Sequence, residues 1–531
     1  MSTPSFNLVD EPWISVRSTD RRSALVSLRE LFHRAPTIRR IAGELPTQDF
    51  AVLRIALAVM YRALDTDENV DEIWESGTLP LDEIDEYLDR WHHRFDLFDG
   101  EHPFMQVAGL KSVSGDTKPL GILMPDSPGP GHLFTMRHDI ESVSFAEAAR
   151  WLVHCQAYDF DGIKTGALDD PRTKGGKGYP VGIGWAGWLG GLYLEGHDLR
   201  ETLLHNWVPS RESEQRRDDL ALWELDPLTP APRDLAEIGP FGPAGLFTWP
   251  IRHIRLIPGD GRVNRVLICI GDPVAKAVQM QNEPMTSWRY SDPQTKKEKS
   301  STPLYMPRKH DPTWALWRGL ASLLPTTEPP TDTKGIVSAH PSMVVSRLAE
   351  RIAEDKLPNR LVALVSVGVE YGSQMSTYSQ IFSDNLVVHP TIAKAEGAAR
   401  ACVVDAIKRT YDAVSALSGL AGDLAVTDGG KRPEAAERAR ATAYAALDQH
   451  FRAWVQYVGD HRDTSELSNA WYGMATDVLS ALADTLLDSA SPRSRAVRIV
   501  DGHPVSAGQA ANWFRYNLSK HLPVTRKDTA I

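Results

Sequence analysis

The chain has 531 residues, of which 42% are hydrophobic and 24% charged, and it carries a formal net charge of −11 at pH 7. These values are typical of a soluble globular protein large enough for two domains, and the negative charge argues against a protein that coats nucleic acid without selectivity. No run approaches the roughly 18 apolar residues of a membrane span, the first residues lack a signal-peptide pattern, and the 3 cysteines are far apart, as in a reducing compartment. We therefore expect a cytoplasmic protein without membrane contact.

The first 385 residues mix strand-like and helix-like patterns in no regular order. Apolar runs typical of strands occur at 253–257, 265–271 and 361–372. Amphipathic runs typical of helices occur at 47–64 and 144–157. Because strands and helices do not alternate regularly, a doubly wound parallel sheet is not expected. The long Pro- and Gly-rich loops between these runs are candidates for function.

The segment SPGPGHLFTMRHD at 127–139 predicts an exposed loop with an apolar tip. Phe134, Thr135 and Met136 form that tip, and Arg137 follows it. Such a tip beside a base can insert next to nucleobases, or it can pack on a neighbouring protein chain. Both interpretations remain open from the residues alone.

The same segment ends in His138-Asp139, which raises the alternative of an HD-type metal-dependent phosphohydrolase. Such a site would need further ligands, and only His154 with Asp159 or Asp161 could supply them. The pattern is incomplete, so we predict no metal and no cofactor.

The stretch TKGGKGYPVGIGWAGWLGG, at 173–191, contains eight glycines and a formal G-x-G-x-x-G. A dinucleotide fingerprint needs a strand directly before it, whereas a polar loop containing proline precedes this one. Two interpretations are favoured: a structural turn, or a backbone surface that closely approaches a macromolecule, because glycine lacks a Cβ. Lys174 and Lys177, beside Gly175, Gly176 and Gly178, favour an anionic partner.

Charge is unevenly distributed along the chain. Residues 65–89 hold eleven acids and no base, whereas residues 289–309 hold six bases, beginning with Arg289, and two acids. Each run fits an ordinary solvated surface, but the acidic run would repel phosphates and the basic run could collect them.

A turn rich in polar residues follows the apolar run at 361–372. It places Gln374, Met375 and Ser376 in sequence. Glutamine can bond to base edges and methionine can act as a wedge between bases. The alternative is an ordinary hairpin turn with a helix N-cap.

The last third of the chain contains four amphipathic segments with one apolar stripe each. The segments are 394–422 with Gly419 and Gly422 as stop signals, 433–459, 467–486 and 506–521. Short connections between such helices favour antiparallel neighbours. We therefore predict an α+β protein, with a large mixed N-terminal domain at 1–385 that carries long functional loops and a C-terminal antiparallel four-helix bundle at 386–531.

Several of these features, in this order, resemble the CasA family, the large subunit of the type I-E CRISPR surveillance complex called Cascade. FNLVDEPWI at 6–14 and EHPFMQ at 101–106 are similar to two motifs of that family. The aromatic-tipped loop, the glycine-rich loop before GHDLRETLLHN, the glutamine turn and the helical bundle follow in the family's order. The resemblance covers essentially the whole chain.

The resemblance implies roles for three loops in recognising the protospacer-adjacent motif (PAM), the short duplex sequence that flanks a target. Gly175–Gly178, with Lys174 and Lys177, would lie in the PAM minor groove. Gln374 with Met375 and Ser376 would be the wedge that separates the first base pairs. The loop at Phe134–Met136 would lie near the 5′ end of the guide RNA and the PAM.

The family also has a lysine finger that reaches the PAM, and its counterpart in this chain falls near Gln279, so Lys276 or Arg289 would have to replace it. Basic residues at the ends of the bundle could contact neighbouring subunits and the displaced strand; they are Lys431, Arg432, Arg493, Arg495 and Arg498.

The function implied is a non-catalytic DNA-binding subunit that recognises the PAM in double-stranded DNA and helps to open the target. Its implied partners are the target duplex, the 5′ end of the guide RNA, other Cascade subunits and a separate helicase–nuclease. Two alternatives stay open, the HD-type phosphohydrolase and a pure assembly scaffold without a DNA-reading role.

Overall fold

The structure is a computed structural model that describes residues 4–64, 70–125, 140–209, 217–333, 335–358, 360–500 and 503–524. The chain forms two compact units. The first comprises Met1–Pro312, Pro329–Arg347 and Ala363–Asn385, and the second comprises Thr313–Glu328, Leu348–Val362 and Leu386–Ile531.

Helices and strands are interspersed along the first part of the chain, and long helices dominate its last third. The helices are α1 Leu28–His33, α2 Pro46–Ala63, α3 Val70–Ser76, α4 Leu81–Trp91, α5 Phe145–Tyr158, α6 Leu199–Asn206, α7 Leu235–Ile238, α8 Pro243–Phe247, α9 Asp292–Lys297, α10 Leu316–Gly319, α11 Met343–Ala353, α12 Ala398–Thr427, α13 Arg432–Val455, α14 Thr464–Asp488 and α15 Ala507–His521. The strands are β1 Ile14–Ser18, β2 Ser23–Val26, β3 Ile38–Ile41, β4 Lys118–Pro119, β5 Lys164–Thr165, β6 Lys177–Gly178, β7 Gly191–Glu195, β8 Arg252–Gly259, β9 Arg262–Ile270, β10 Trp288–Tyr290, β11 Tyr305–Pro307, β12 Ala339–His340, β13 Val362–Tyr371, β14 Tyr378–Val388, β15 Arg498–Val500 and β16 His503–Val505.

Small antiparallel sheets support the loops of the first unit. Their strand orders are β2-β1-β3, β4-β9-β8, β11-β10-β12 and β14-β13-β7, with β5 and β6 forming a separate two-stranded ladder. The run at β13 is apolar on both faces because both faces are buried. Helices α2 and α5 pack against each other, and most of α2 is buried, including Arg54, whose guanidinium pairs with Glu283 at 2.8 Å.

Both signature motifs pack on residues 95–97 in the first unit, the motif at 101–106 through the Gln106 side-chain amide, which donates to the Leu97 carbonyl at 2.8 Å. The Leu8 amide donates to the Phe95 carbonyl at 3.0 Å, and the Leu97 amide donates to the Phe6 carbonyl at 3.0 Å. The Trp13 indole is fully buried and donates to the Leu8 carbonyl at 3.0 Å. Both motifs therefore have a packing role in this fold.

Helices α12, α13, α14 and α15 form the predicted bundle in the second unit. Its core is aromatic: the Trp471 indole donates to Thr410 Oγ1 at 2.9 Å, and the ring of Phe451 stacks on that of Trp317 at 4.3 Å. The predicted fold class, a mixed region followed by a helical bundle, is confirmed. Among the helices that the structure describes, none is both long and apolar enough to cross a bilayer.

The predicted stop signals in the first bundle helix are wrong, since α12 continues through Gly419 and Gly422 to Thr427. A Cβ at Gly419 would lie 3.2 Å from the Trp513 ring, and one at Gly422 would lie 2.8 Å from the Arg432 side chain. These glycines leave room for neighbouring side chains, at a propensity cost of about 1 kcal/mol each.

Candidate nucleic-acid interface

The predicted glycine loop is the tip of a two-stranded hairpin. Strands β5 and β6 pair with Lys164 opposite Gly178 and Thr165 opposite Lys177. The Lys174 amide donates to the Lys177 carbonyl at 3.0 Å, and the Lys177 amide donates back at 3.2 Å. We call residues 174–177 the basic turn.

The basic turn needs glycine at both central positions. Gly175 and Gly176 have φ angles of +59° and +72°, which is the pattern of a type I′ turn and is unfavourable for residues with a Cβ. A Cβ at either position would have no atom within 4 Å. Lys174, Gly175 and Lys177 are exposed, so backbone and cations are presented together on an open surface.

The base of this hairpin is fixed to the core. The Arg172 guanidinium pairs with Asp170 at 3.0 Å and donates to the Gly271 carbonyl at 2.7 Å. Thr173 Oγ1 donates to the Ala167 carbonyl at 3.0 Å. Gly178 lies against Ile270, where a Cβ would be 3.1 Å from the side chain. The tip is therefore open while its base is rigidly held.

The last four glycines of the glycine-rich stretch, from Gly184 to Gly191, have a different role, because they are packed. A Cβ at Gly184 would overlap the Ala157 carbonyl, and one at Gly187 would overlap the Tyr371 hydroxyl. Gly190 is equally crowded by the backbone at Arg308. Close packing thus explains two glycines of the formal G-x-G-x-x-G, Gly184 and Gly187, whereas Gly182 has a φ angle of +112° and no atom within 4 Å of its Cβ position.

Gln374 lies at the tip of the connection between β13 and β14. Both Gln374 and Met375 have positive φ angles, +54° and +56°. The Met375 amide donates to the Gly372 carbonyl at 2.9 Å, and the Gly372 amide donates to the Thr377 carbonyl at 2.9 Å. The Gln374 side chain is exposed, whereas Met375 and Ser376 are half-buried. We call residues 373–376 the Gln turn.

One loop, residues 159–163, leads directly into β5 of the hairpin and contacts both the Gln turn and Gly182, four residues after β6. The Asp161 amide donates to the Met375 carbonyl at 2.8 Å, and Asp161 Oδ1 accepts from the Gly182 amide at 3.1 Å. A Cβ at Gly162 would lie 3.9 Å from that of Ser376. Two segments that lie about 200 positions apart in the chain are therefore neighbours on one surface.

A buried ion cluster holds this loop in place. Asp159 Oδ2 lies 2.7 Å from Lys164 Nζ and 2.5 Å from Arg252 Nε. The Arg252 guanidinium also donates to the carbonyls of Phe160 and Gly182, both at 2.8 Å. Burial alone would raise the pKa of Asp159, but the two cations hold that pKa below its usual value. Sequence analysis missed this cluster, because nothing local marks partners separated by 93 residues.

Lys276, one candidate for the lysine finger, is half-buried. Its Nζ is 3.4 Å from the centroid of the Trp188 ring, a cation–π contact. Burial and Lys297 lower the pKa of Lys276, while Asp161 acts in the opposite direction, so the lysine senses the charge of the loop at 159–163. Gln279 is buried, and its side-chain amide donates to the Ala275 carbonyl at 3.1 Å. Arg289 is exposed on β10.

Phe134, Thr135, Met136 and Arg137, and also His138 and Asp139, lie outside the residues that the structure describes. The further metal ligands that the phosphohydrolase alternative requires, His154 and Asp159 or Asp161, have other hydrogen-bond or ion-pair partners. His154 is buried with its Nε2 3.0 Å from Thr47 Oγ1, and burial lowers its pKa to about 3. Asp159 is engaged by Lys164 and Arg252. Within the described ranges, no three His, Cys, Asp or Glu side chains are grouped as metal ligands.

Several basic residues at the ends of the bundle already have acidic partners or lie on short elements. Lys431 Nζ is 3.0 Å from Glu434, and Arg432 pairs with Asp423. Arg493 and Arg495 lie on a 3-10 turn at Pro492–Arg495, and Arg498 begins β15.

Comparison with known proteins agrees with this architecture. The family model for CRISPR-associated protein Cse1 matches residues 7–482. The CRISPR-associated protein CasA/Cse1 of Thermus thermophilus is 34% identical over 271 residues, which is 49% of this chain and 51% of the relative, so the match spans about half of that protein. The crystal structure of Thermobifida fusca Cse1 matches with a TM-score of 0.88 at 36% identity, over 98% of this chain and 99% of that one.

A chain from a CRISPR RNA-guided surveillance complex matches with a TM-score of 0.63 over 98% of this chain and 99% of that chain, and its 18% identity shows the fold alone. The family model spans most of the sequence, from the first signature motif into the last third. The chain therefore belongs to the CRISPR-associated Cse1 family, also called CasA.

Proposed function

We propose that the chain is a non-catalytic, DNA-binding subunit of an RNA-guided CRISPR surveillance complex, which recognises the PAM in duplex DNA and helps to open the target. The observation that carries this proposal is the placement of the basic turn and the Gln turn on one surface, joined through the loop at 159–163. Groove recognition and strand separation would then occur at adjacent positions on the DNA.

The basic turn is suited to the minor groove. That groove is about 6 Å wide, and a turn with two glycines brings peptide groups to its floor without side chains in the way. Lys174 and Lys177 flank the glycines and can contact the phosphates on either side. Because the minor groove mainly distinguishes A·T from G·C pairs, we expect permissive PAM recognition.

The Gln turn is suited to wedging. The exposed Gln374 side chain can bond to base edges that are released as pairs separate, and Met375 supplies an apolar surface behind it. Unstacking costs a few kcal/mol per step, so pairing with the guide RNA must offset that cost. Lys276, held over Trp188, takes the place of the lysine finger in this proposal because the charge of Asp161, in the loop that contacts the Gln turn, acts on it.

The remaining partners follow from family membership. The surveillance complex named for one structural neighbour supports assembly with other Cascade subunits. The aromatic-tipped loop at Phe134–Arg137 would face the 5′ end of the guide RNA, and a separate helicase–nuclease would cut the opened DNA.

The test is strand opening by the guide-loaded complex, with and without this chain, on target duplexes with a permitted or a scrambled flank. We expect opening to require both the chain and the permitted flank. Gly176→Asp should reduce opening to the level of the scrambled flank, since it adds a negative side chain at a position with φ +72°. Opening that ignores the flank would favour the pure scaffold, and a phosphohydrolase would instead show metal-dependent hydrolysis by the chain alone.

A further inference from the structure

The ladder that supports the basic turn has an inner and an outer face. Residues opposite each other in a β-ladder point to the same side, and successive pairs alternate between sides. The pair Lys164 and Gly178 points inward, because Lys164 bonds to buried Asp159 and Gly178 lies against Ile270. The next pair, Thr165 and Lys177, therefore points outward, which agrees with the exposure of Lys177.

The same register places two large apolar side chains on the outer face. The paired residues end at Lys164 and Gly178, and continuing the register by one position on the side away from the basic turn sets Ile163 opposite Tyr179. Their side chains are 58% and 50% exposed. We call this pair the apolar step. Single exposed apolar residues are common on protein surfaces, but these two flank the last pair of the ladder, and its continued register sets them opposite each other.

The apolar step lies between the two turns that carry the proposed function. Ile163 directly follows Gly162, whose Cβ position is 3.9 Å from that of Ser376 in the Gln turn. Asp161, two residues earlier, bonds through its amide to the Met375 carbonyl. On the other side, the ladder leads through Lys177 to the glycines of the basic turn. Cationic, apolar and wedging groups therefore follow one another along this surface.

We propose that the apolar step is a further DNA-contacting element, which packs against the first base pair beside the PAM as that pair opens. This inference rests on the proposed function. An opening pair exposes the faces of its bases and the apolar edge of the deoxyribose, and neither surface requires a hydrogen-bonding partner. A tyrosine ring and a branched aliphatic side chain can cover these surfaces with little loss of side-chain entropy, because both have few rotatable bonds.

The test uses guide-loaded complexes assembled with Ile163→Ser, Tyr179→Ser or the double variant. Opening is followed by the fluorescence of a base analogue at the first target position, and rates are taken per complex that contains this subunit. On a fully paired target with a permitted flank, we expect the double variant to open about tenfold more slowly. Leu25→Ser is the matched control, because it removes a 46% exposed aliphatic side chain from the separate β2-β1-β3 sheet.

A second duplex has its first two target pairs mismatched. It distinguishes a loss of contact with the opening pair from a general loss of DNA binding by the complex. We expect the double variant to open it within about twofold of the unaltered complex, since the cost of unstacking has been removed in advance. Equal slowing on both duplexes would overturn the inference. The inference would also be overturned if the double variant opened the paired duplex at the normal rate while Gly176→Asp and Gln374→Ala slowed it. That result would leave the proposed function supported. If no variant slows opening, both the inference and the proposed function fall.

Discussion

Gln374 has a left-handed backbone conformation, φ +54°, without being glycine or asparagine. That conformation costs a residue with a Cβ about 1 kcal/mol or more. Met375, the next residue, has the same feature. Strained residues of this kind concentrate at functional positions, and here the strain coincides with the side chain proposed to separate the strands.

Replacing Gln374 by glycine should separate stability from function. We expect Gln374→Gly to change the free energy of unfolding by less than about 1 kcal/mol, because relief of the left-handed strain offsets the larger entropy of the unfolded chain. Strand opening by the assembled complex should nevertheless slow, because the side chain is lost. Gln374→Ala is the control, as it keeps the strain and also lacks the side chain. Opening that is normal in either variant would count against the wedge.

The carboxyl of Asp49 should make the stability of the fold depend on pH. Asp49 is half-buried at the start of α2 and accepts from the Gly43 amide at 2.5 Å, and desolvation of its carboxyl raises the pKa to about 7. A folded-state pKa above the unfolded value means that the folded protein retains a proton which the unfolded chain has lost. The stability of the fold must therefore decrease as the pH rises from about 4 to about 7.

Asp49→Asn should remove this pH dependence. Asparagine keeps an acceptor for the Gly43 amide and cannot ionise. As the pH rises from about 5.5 to about 8, the free energy of unfolding of the variant should therefore increase by about 2 kcal/mol relative to that of the parent protein. Melting temperatures of the two proteins across that range provide the measurement. Parallel curves would show that Asp49 does not ionise within it.

At the scale of elements, the ladder of β5 and β6 and the Gln turn are both connected to the loop at 159–163, which a buried ion cluster holds in place. Arg252 and Asp159 are both buried, and Lys164 connects them to the ladder. Removing one member of a buried ion pair leaves its partner without compensation, which costs about 3–5 kcal/mol.

Asp159→Asn should therefore destabilise the protein and slow strand opening together. The control is Lys164→Met, which removes the ammonium that lies over the Phe160 ring but leaves Arg252 paired with Asp159, so a smaller loss of stability is expected. Urea unfolding and opening rates, measured on the same preparations, compare the two. A Lys164→Met variant as unstable as Asp159→Asn would show that Lys164, not the carboxylate, holds the loop.

At the scale of the whole molecule, an acidic chain presents a local basic surface. The net charge is −11, yet Lys174 and Lys177 are exposed at the tip of the hairpin. DNA binding should then depend on a few defined phosphate contacts, each of which changes the slope of log affinity against log salt concentration by about one.

We expect the double variant Lys174→Ala, Lys177→Ala to reduce that slope by about two in the assembled complex. Affinity should decrease similarly for permitted and scrambled flanks, because phosphate contacts carry no sequence information. Lys356→Ala, which removes an exposed lysine near Glu354, should leave the slope unchanged. An unchanged slope in the double variant would place the DNA elsewhere on the molecule.

The sequence by itself predicted the helical bundle, because an apolar stripe with a period of 3.6 residues is a local property. The order of short motifs was also readable and indicated the family. Local patterns failed at Gly419 and Gly422, which predicted a helix end. The helix continues there, and the missing Cβ atoms leave room for Trp513 and Arg432.

Only the tertiary structure decided which glycines of the stretch at 173–191 are exposed and which are packed. Gly176 faces open space, whereas Gly184 is crowded by Ala157. Both positions are glycines of the same stretch, so the residue type alone does not distinguish them. The cluster of Asp159 and Arg252 and the apolar step were equally invisible, because each depends on residues distant in the chain or on the register of a ladder. Local patterns determine elements, but the juxtaposition of loops follows from packing between segments far apart in sequence.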